Sequence, residues 1–170
     1  MESSFPPVID HRVRLLILGS MPGKRSLAED QYYAHPRNGF WPIMAALYGA
    51  KQEFSYQQRL EILLANSIGL WDVIGSCRRP TSLDSDIDEE SILVNDFSSL
   101  LDRYPAIMQI FFNGAKAEQA FRRYVLATLD ARQAALPRQR LISTSPANAR
   151  YSLAEKIAIW RQFLPATNPR

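Results

Sequence analysis

The sequence predicts an α/β protein: a three-layer sandwich with a central four-stranded parallel sheet flanked by helices. Three observations carry this. Apolar strand candidates alternate with amphipathic segments of about ten or more residues, the pattern of strand–helix–strand crossovers. The first candidate, RLLILGS (Arg14 to Ser20), is apolar on both faces and reads as a central, doubly covered strand. Three of the four candidates run into small or polar residues, Gly19-Ser20, Asn113-Gly114 and Ser143-Thr144-Ser145. In a parallel sheet such ends converge on one edge, where open α/β sheets bind their ligands.

After Pro6-Pro7, the first strand is predicted near Val13–Leu18, followed by the loop Gly19-Ser20-Met21-Pro22-Gly23. A helix begins near Phe40, with Trp41, Ile43, Met44 and Leu47 at helical spacing and Gly49 as its stop. Ser55-Tyr56-Gln57-Gln58 is a capping-box pattern opening the helix that contains LEILLANS. Ile68–Ile74 reads as a second strand. Ser91–Tyr104 reads as an amphipathic helix with Ile92, Phe97, Leu100 and Leu101 inward. Ala106–Phe112 is a third strand, and a helix follows Asn113-Gly114 through Ala120 and Phe121. Leu141–Thr144 is a short fourth strand. Ser152-Leu153-Ala154-Glu155 is a second capping box, opening a last helix through Phe163.

Composition narrows the function. The chain has 170 residues, 46% hydrophobic and 22% charged, enough for one domain with a real core. No apolar run approaches the roughly 18 residues that span a bilayer, and the start lacks the basic-then-apolar order of a signal peptide. A cytoplasmic, nucleoid-associated protein without membrane contact is expected. Its single cysteine, Cys77, excludes an internal disulfide and a four-cysteine metal site, and two histidines disfavour a histidine-rich one. No metal or other cofactor is expected. A net charge of +3 and a pI near 9.2 are compatible with nucleic acid without demanding it. Lys24, Arg25, Arg37, Arg78, Arg79 and Arg150 fall near the candidate site; taken singly, each reads more readily as a solvated surface charge.

GSMPG, the segment QYYAHPRNGFW (Gln31 to Trp41) and the later STSPANA together resemble the uracil-DNA glycosylase superfamily. The first two are similar to the mismatch-specific branch, where a GxNPG loop precedes an FAHPxNxFW-like segment. The resemblance is nearest to the hypoxanthine-DNA (deoxyinosine) branch. Its GS-x-PG loop, QYYxHPxNxFW segment, middle segment like GLWDVI (Gly69 to Ile74) with a following Ser82-Leu83-Asp84, FFNGxKA strand end and STSPAN loop are all present, over about residues 14 to 155. The resemblance implies one glycosylase-like domain, residues 1–170, that removes a deaminated base from double-stranded DNA. Hypoxanthine is the first expectation, with uracil or xanthine as variants and a non-catalytic nucleic-acid or nucleobase-binding module as the alternative. A monomer is expected.

One departure matters. Met21 stands where the mismatch-specific branch has its catalytic asparagine, and a thioether cannot orient or polarise water. The resemblance moves the catalytic part to Asn38, whose amide suits the positioning of a water; capping the helix near Phe40 is its other reading. Tyr33 takes the place of the family's stacking phenylalanine, or is a core aromatic. Asn113 reads the base edge through its amide, or closes a tight turn before Gly114. Ser20 and Met21 complete the base-binding set, with backbone N–H groups of the loop open to a carbonyl or phosphate. Ser143, Ser145, Asn148 and Arg150 in the STSPANAR loop, with Arg37, are the candidate DNA contacts, Arg150 filling the vacated stack or binding phosphate. Lys24 and Arg25 are possible further phosphate contacts. His35 is expected to organise its loop. Asp72 is open between bracing a loop and lying near the sugar.

Overall fold

The computed structural model describes residues 1–167. In chain order these contain β1 (Glu2–Ser3), β2 (Leu15–Gly19), α1 (Lys24–Glu29), α2 (Phe40–Tyr48), α3 (Tyr56–Ala65), β3 (Ile68–Asp72), β4 (Ile74–Cys77), β5 (Leu93–Val94), α4 (Phe97–Arg103), β6 (Gln109–Asn113), α5 (Ala115–Ala120), α6 (Ala131–Ala134), β7 (Arg138–Leu141) and α7 (Leu153–Phe163). The order β3-β2-β6-β7 forms a four-stranded sheet, parallel throughout. Helices cover both faces, as the doubly apolar β2 requires. Alternation along β2 sends Leu16 and Leu18 to one face, into a core with Phe97, Leu101 and Phe121. It sends Ile17 to the other, into a core with Phe40, Met44 and Trp160. The predicted sandwich is thus the observed one.

Local signals explain the helix ends. Ser55 and Gln58 form a reciprocal capping box on α3, and Ser152 and Glu155 form one on α7. Gly49 ends α2 in the left-handed region, φ 74°, where glycine has no Cβ to clash.

Four elements differ from expectation. The apolar run Ile68–Ile74 is two strands. β3 stops at Asp72: Val73 N still donates to the Gly19 carbonyl at 2.8 Å, the last bond to β2, but the Val73 carbonyl accepts from Asn95 N at 3.0 Å and Ile74 pairs with Val94. β4 then joins an antiparallel sheet, β1-β4-β5. The helix expected from Ser91 begins at Phe97, since the Asp96 side chain accepts from Ser99 N and caps it there; β5 occupies part of the earlier stretch. The third strand starts at Gln109 rather than Ala106 and carries Asn113 as its last residue. The fourth strand lies upstream of Leu141–Thr144: its residues Arg138–Leu141 pair with Ile110–Asn113, and residues 142–144 enter the following loop. Helix α5 passes at Phe121 into a π-helical turn, Phe121–Val125.

The register sets the site. Gly19 pairs with Asp72, Leu18 with Phe112, and Asn113 with Leu141. With adjacent strands about 4.8 Å apart, Asp72 and Asn113 end two strands on either side of Gly19, about 10 Å from each other.

Candidate active site

A slot of about 790 Å³ opens at the carboxyl edge of the sheet. It is lined by the GSMPG loop, by Tyr33, His35, Arg37 and Asn38, by Ser143 to Asn148, and by Asp72, Asp84 and Asn113. The stretches expected to converge do so. They bring Tyr33, Asn38, Asn113, Ser20, Met21, Arg37, Ser143, Ser145 and Asn148 to one cavity. Arg150 is not on its wall; its guanidinium lies over the Tyr151 ring, 5.4 Å from the centroid.

The segment before α2 is held by its own polar groups. His35 Nδ1 accepts from Arg37 N at 3.0 Å and the His35 carbonyl accepts from Asn38 N at 2.9 Å, the organising part expected of it. Gly39 N donates to the Thr144 carbonyl at 2.9 Å, tying this segment to the Ser143–Asn148 loop. Tyr33 sits in the left-handed region, φ 55°, uncommon for a bulky side chain. Its ring stacks on Phe40, centroids 4.0 Å apart and planes 26° off parallel. Such pairs add about 0.5–1.5 kcal/mol beyond area burial. The hydroxyl is buried with no hydrogen-bond partner among the described residues. Burial chiefly, with the nearby Asp72 charge, holds its pKa above the usual phenol range.

The N-cap position of α2 is Gly39, but Asn38 just before it still serves the helix start: its Oδ1 accepts from Phe40 N at 2.9 Å. Among the described residues nothing takes its amino group, and the residue stays on the slot wall. Asn113 staples two strand ends. Its Nδ2 donates to Thr144 Oγ1 at 2.9 Å and its Oδ1 accepts from Thr144 N at 3.0 Å. One hydrogen and one lone pair of that amide remain for a ligand. The loop hydroxyls brace the loop as acceptors and keep their own hydrogens for other partners: Ser143 Oγ accepts from Ser145 N and Ser145 Oγ from Ala147 N, both at 3.2 Å. Asn148 Nδ2 donates to the Ser143 carbonyl at 3.0 Å. Met21 is buried, packed into the core that holds Trp71 and Phe97.

Sequence reasoning left two groups unassigned that the structure places in the slot. Ser20 Oγ donates to Asp84 Oδ1 at 2.7 Å, drawing that carboxyl inward from an exposed turn. Asp72 is 4% exposed, and its Oδ2 has no hydrogen-bond partner among the described residues. A Cβ on Gly19 would stand 2.5 Å from Asp72 Oδ1 and 3.2 Å from Tyr33 Oη, so the first glycine of GSMPG leaves room for these two groups. Burial, and then the Asp84 charge, push the Asp72 carboxyl up to about 7, against a smaller opposing pull from Arg79. Arg79 lies buried behind the loop, where its guanidinium donates to Glu2 and to the Pro22 carbonyl. Asp84, Lys24, Arg25 and Arg37 line the same slot, Lys24 paired with Glu2 and Arg25 with Glu29.

Fold and slot together define an α/β protein with a polar and aromatic cavity at the ends of its parallel strands. The chain belongs to the uracil DNA glycosylase superfamily, whose family model matches residues 6–164. It is 44% identical over 117 residues to the hypoxanthine DNA glycosylase of Methanosarcina barkeri, which covers 68% of this chain and 73% of that one. It is 42% identical over 118 residues to the hypoxanthine DNA glycosylase of Methanosarcina acetivorans, covering 69% and 73%. A solution structure from Methanosarcina acetivorans, provisionally described as a uracil DNA glycosylase, superposes with a TM-score of 0.74 at 36% identity, covering 94% of this chain and 96% of the other.

Proposed function

We propose that this protein is a monofunctional DNA glycosylase that hydrolyses the N-glycosidic bond of a deaminated base, hypoxanthine in deoxyinosine first. One observation carries the reading: Tyr33 and the two asparagines, far apart in sequence, line a single slot at the strand ends. A base in a duplex is out of reach of such a slot until it leaves the stack. Once extruded, it lies against the Tyr33 ring, which Phe40 backs. The free hydrogen and lone pair of the Asn113 amide meet its donor–acceptor edge. Asn38, with an uncommitted amino group and a second lone pair on Oδ1, holds the attacking water at the sugar's C1′. Arg37 on the slot wall takes a backbone phosphate, and Lys24 and Arg25 can join it by exchanging Glu2 and Glu29 for phosphate, which makes binding weaken as salt rises.

A Schiff base, and with it strand cleavage, needs a lysine at the sugar. The buried Lys156 is not on the slot wall; its Nζ donates to the Ser145 carbonyl at 3.3 Å, from beneath the loop. Lys24, the lysine that does line the slot, is held by Glu2 and by the Arg79 carbonyl at 3.3 Å, so base release without strand scission is expected.

The competing reading is a binding module without turnover, and Met21, packed in the core where the related branch has its asparagine, is what favours it. An inosine-containing duplex, incubated with the protein and then treated with alkali, separates the two. Free hypoxanthine and a break appearing only after alkali support the glycosylase. Stoichiometric binding with no base released above a protein-free blank supports the module.

A further inference from the structure

The proposed function leaves one buried carboxyl in the slot without a task. Asp72 ends β3 on the far side of Gly19 from Asn113, so the two polar side chains flank the base site. It is almost wholly buried, yet forms no ion pair, and its Oδ2 meets no donor or acceptor of the described protein. Its polar neighbours are each bonded within the protein, Asn113 to Thr144 and Ser20 to Asp84. An ionised carboxylate left unpaired in such a place is costly, whereas a neutral carboxylic acid lacks only an acceptor for its proton. A purine in the slot supplies that acceptor, since its ring nitrogens carry lone pairs in the ring plane.

We propose that Asp72 is a catalytic general acid that protonates a ring nitrogen of the departing purine. This rests on the glycosylase reading of the slot. As the C1′–N9 bond breaks, its electron pair passes into the purine ring and the Asp72 proton goes to the ring nitrogen, so the base leaves neutral. The water held by Asn38 forms the new C1′–O bond, and the proton it sheds restores Asp72 through solvent. One water is consumed; a sugar hydroxyl and a free base result. The titratable and charged groups facing Asp72 are Asp84 on its turn, Arg79 behind β4, the Tyr32 and Tyr33 hydroxyls before α2, and Tyr56 on α3. Among these, Asp84 favours the protonated form and Arg79 opposes it.

The test is the single-turnover rate of hypoxanthine release from deoxyinosine duplex, with enzyme saturating, from pH 5.5 to 8.5. The wild-type rate is expected to be level at low pH and to fall about tenfold per pH unit above roughly 7, as the acid form is lost. Asp72→Asn, which keeps the shape and cannot give up a proton, is expected to lose on the order of 10²-fold and the pH dependence with it. Asp84→Asn removes the neighbouring charge and is expected to move the falling limb to lower pH. A wild-type rate that is flat or rises through pH 7 overturns the proposal without any variant. So does Asp72→Asn at the wild-type rate, or a limb abolished in Asp84→Asn. A wild type that releases no hypoxanthine overturns the glycosylase reading, and this inference with it.

Discussion

Asp72→Asn also gives a prediction about stability, independent of any substrate. The carboxyl is buried at 4% exposure, and burial lifts it from an ordinary 3.8 to about 7. The native state therefore binds this proton more tightly than the unfolded chain does. Between those values native molecules carry more protons than unfolded ones, so stability falls as pH rises, and the loss is complete once pH passes 7. At about 1.36 kcal/mol per pH unit, the full penalty is on the order of 4 kcal/mol, of which about 3 is incurred between pH 5 and pH 8. Asparagine carries no such charge. Urea unfolding of both proteins across that range reads the difference directly, every other titrating group being common to the two. The wild type is expected to lose about 3 kcal/mol relative to Asp72→Asn from pH 5 to pH 8. A gap that stays constant with pH, or that moves in the wild type's favour, refutes a buried, unpaired carboxyl at this place.

Two further substitutions separate roles that share a residue. Tyr33→Phe deletes a buried hydroxyl with no partner and leaves the ring on Phe40, so it is expected to gain about 1 kcal/mol in urea unfolding and to keep base release within a few-fold; a destabilised or inactive protein would mean the hydroxyl is engaged. Asn38→Asp keeps an oxygen for Phe40 N and loses the amino group, whereas Asn38→Ala loses both. Both are expected to lose about 10²-fold in single-turnover release, and only the alanine about 1 kcal/mol of stability; an active Asn38→Asp would reduce Asn38 to a cap.

What could be read from the chain beforehand divides by the range of the interactions concerned. The capping boxes at Ser55 and Ser152 are contained within four residues, and both form as written. The doubly apolar β2 announces a covered parallel strand because both its faces need partners. β7 gave no such sign: Arg138, Gln139 and Arg140 belong to an edge strand paired on one side only, so polarity costs it little and the apolar Leu141-Ile142 that followed drew the expectation downstream. The break after Asp72 is equally hidden in an unbroken apolar run, since it comes from pairing with Val94 and Asn95, about twenty residues further on. The site divides the same way. Tyr33, Asn38 and Asn113 stand in recognisable segments, but the dual use of Asn113 and Asn38, each bonded within the fold while facing the slot, depends on Thr144 and Phe40. Asp72 stayed ambiguous because its chemistry is set by Gly19, Tyr33 and Asp84, none of them near it in sequence.

The central claim is that separated strand ends build one slot for a base swung out of DNA. Its most direct test is a crystal structure with a duplex carrying 2′-fluoro-deoxyinosine, in which the electron-withdrawing fluorine slows loss of the base. The account predicts the hypoxanthine ring extruded, lying against Tyr33, with its edge within hydrogen-bond distance of Asn113 and Asp72. A base still stacked in the duplex, or one bound away from these three side chains, would contradict it.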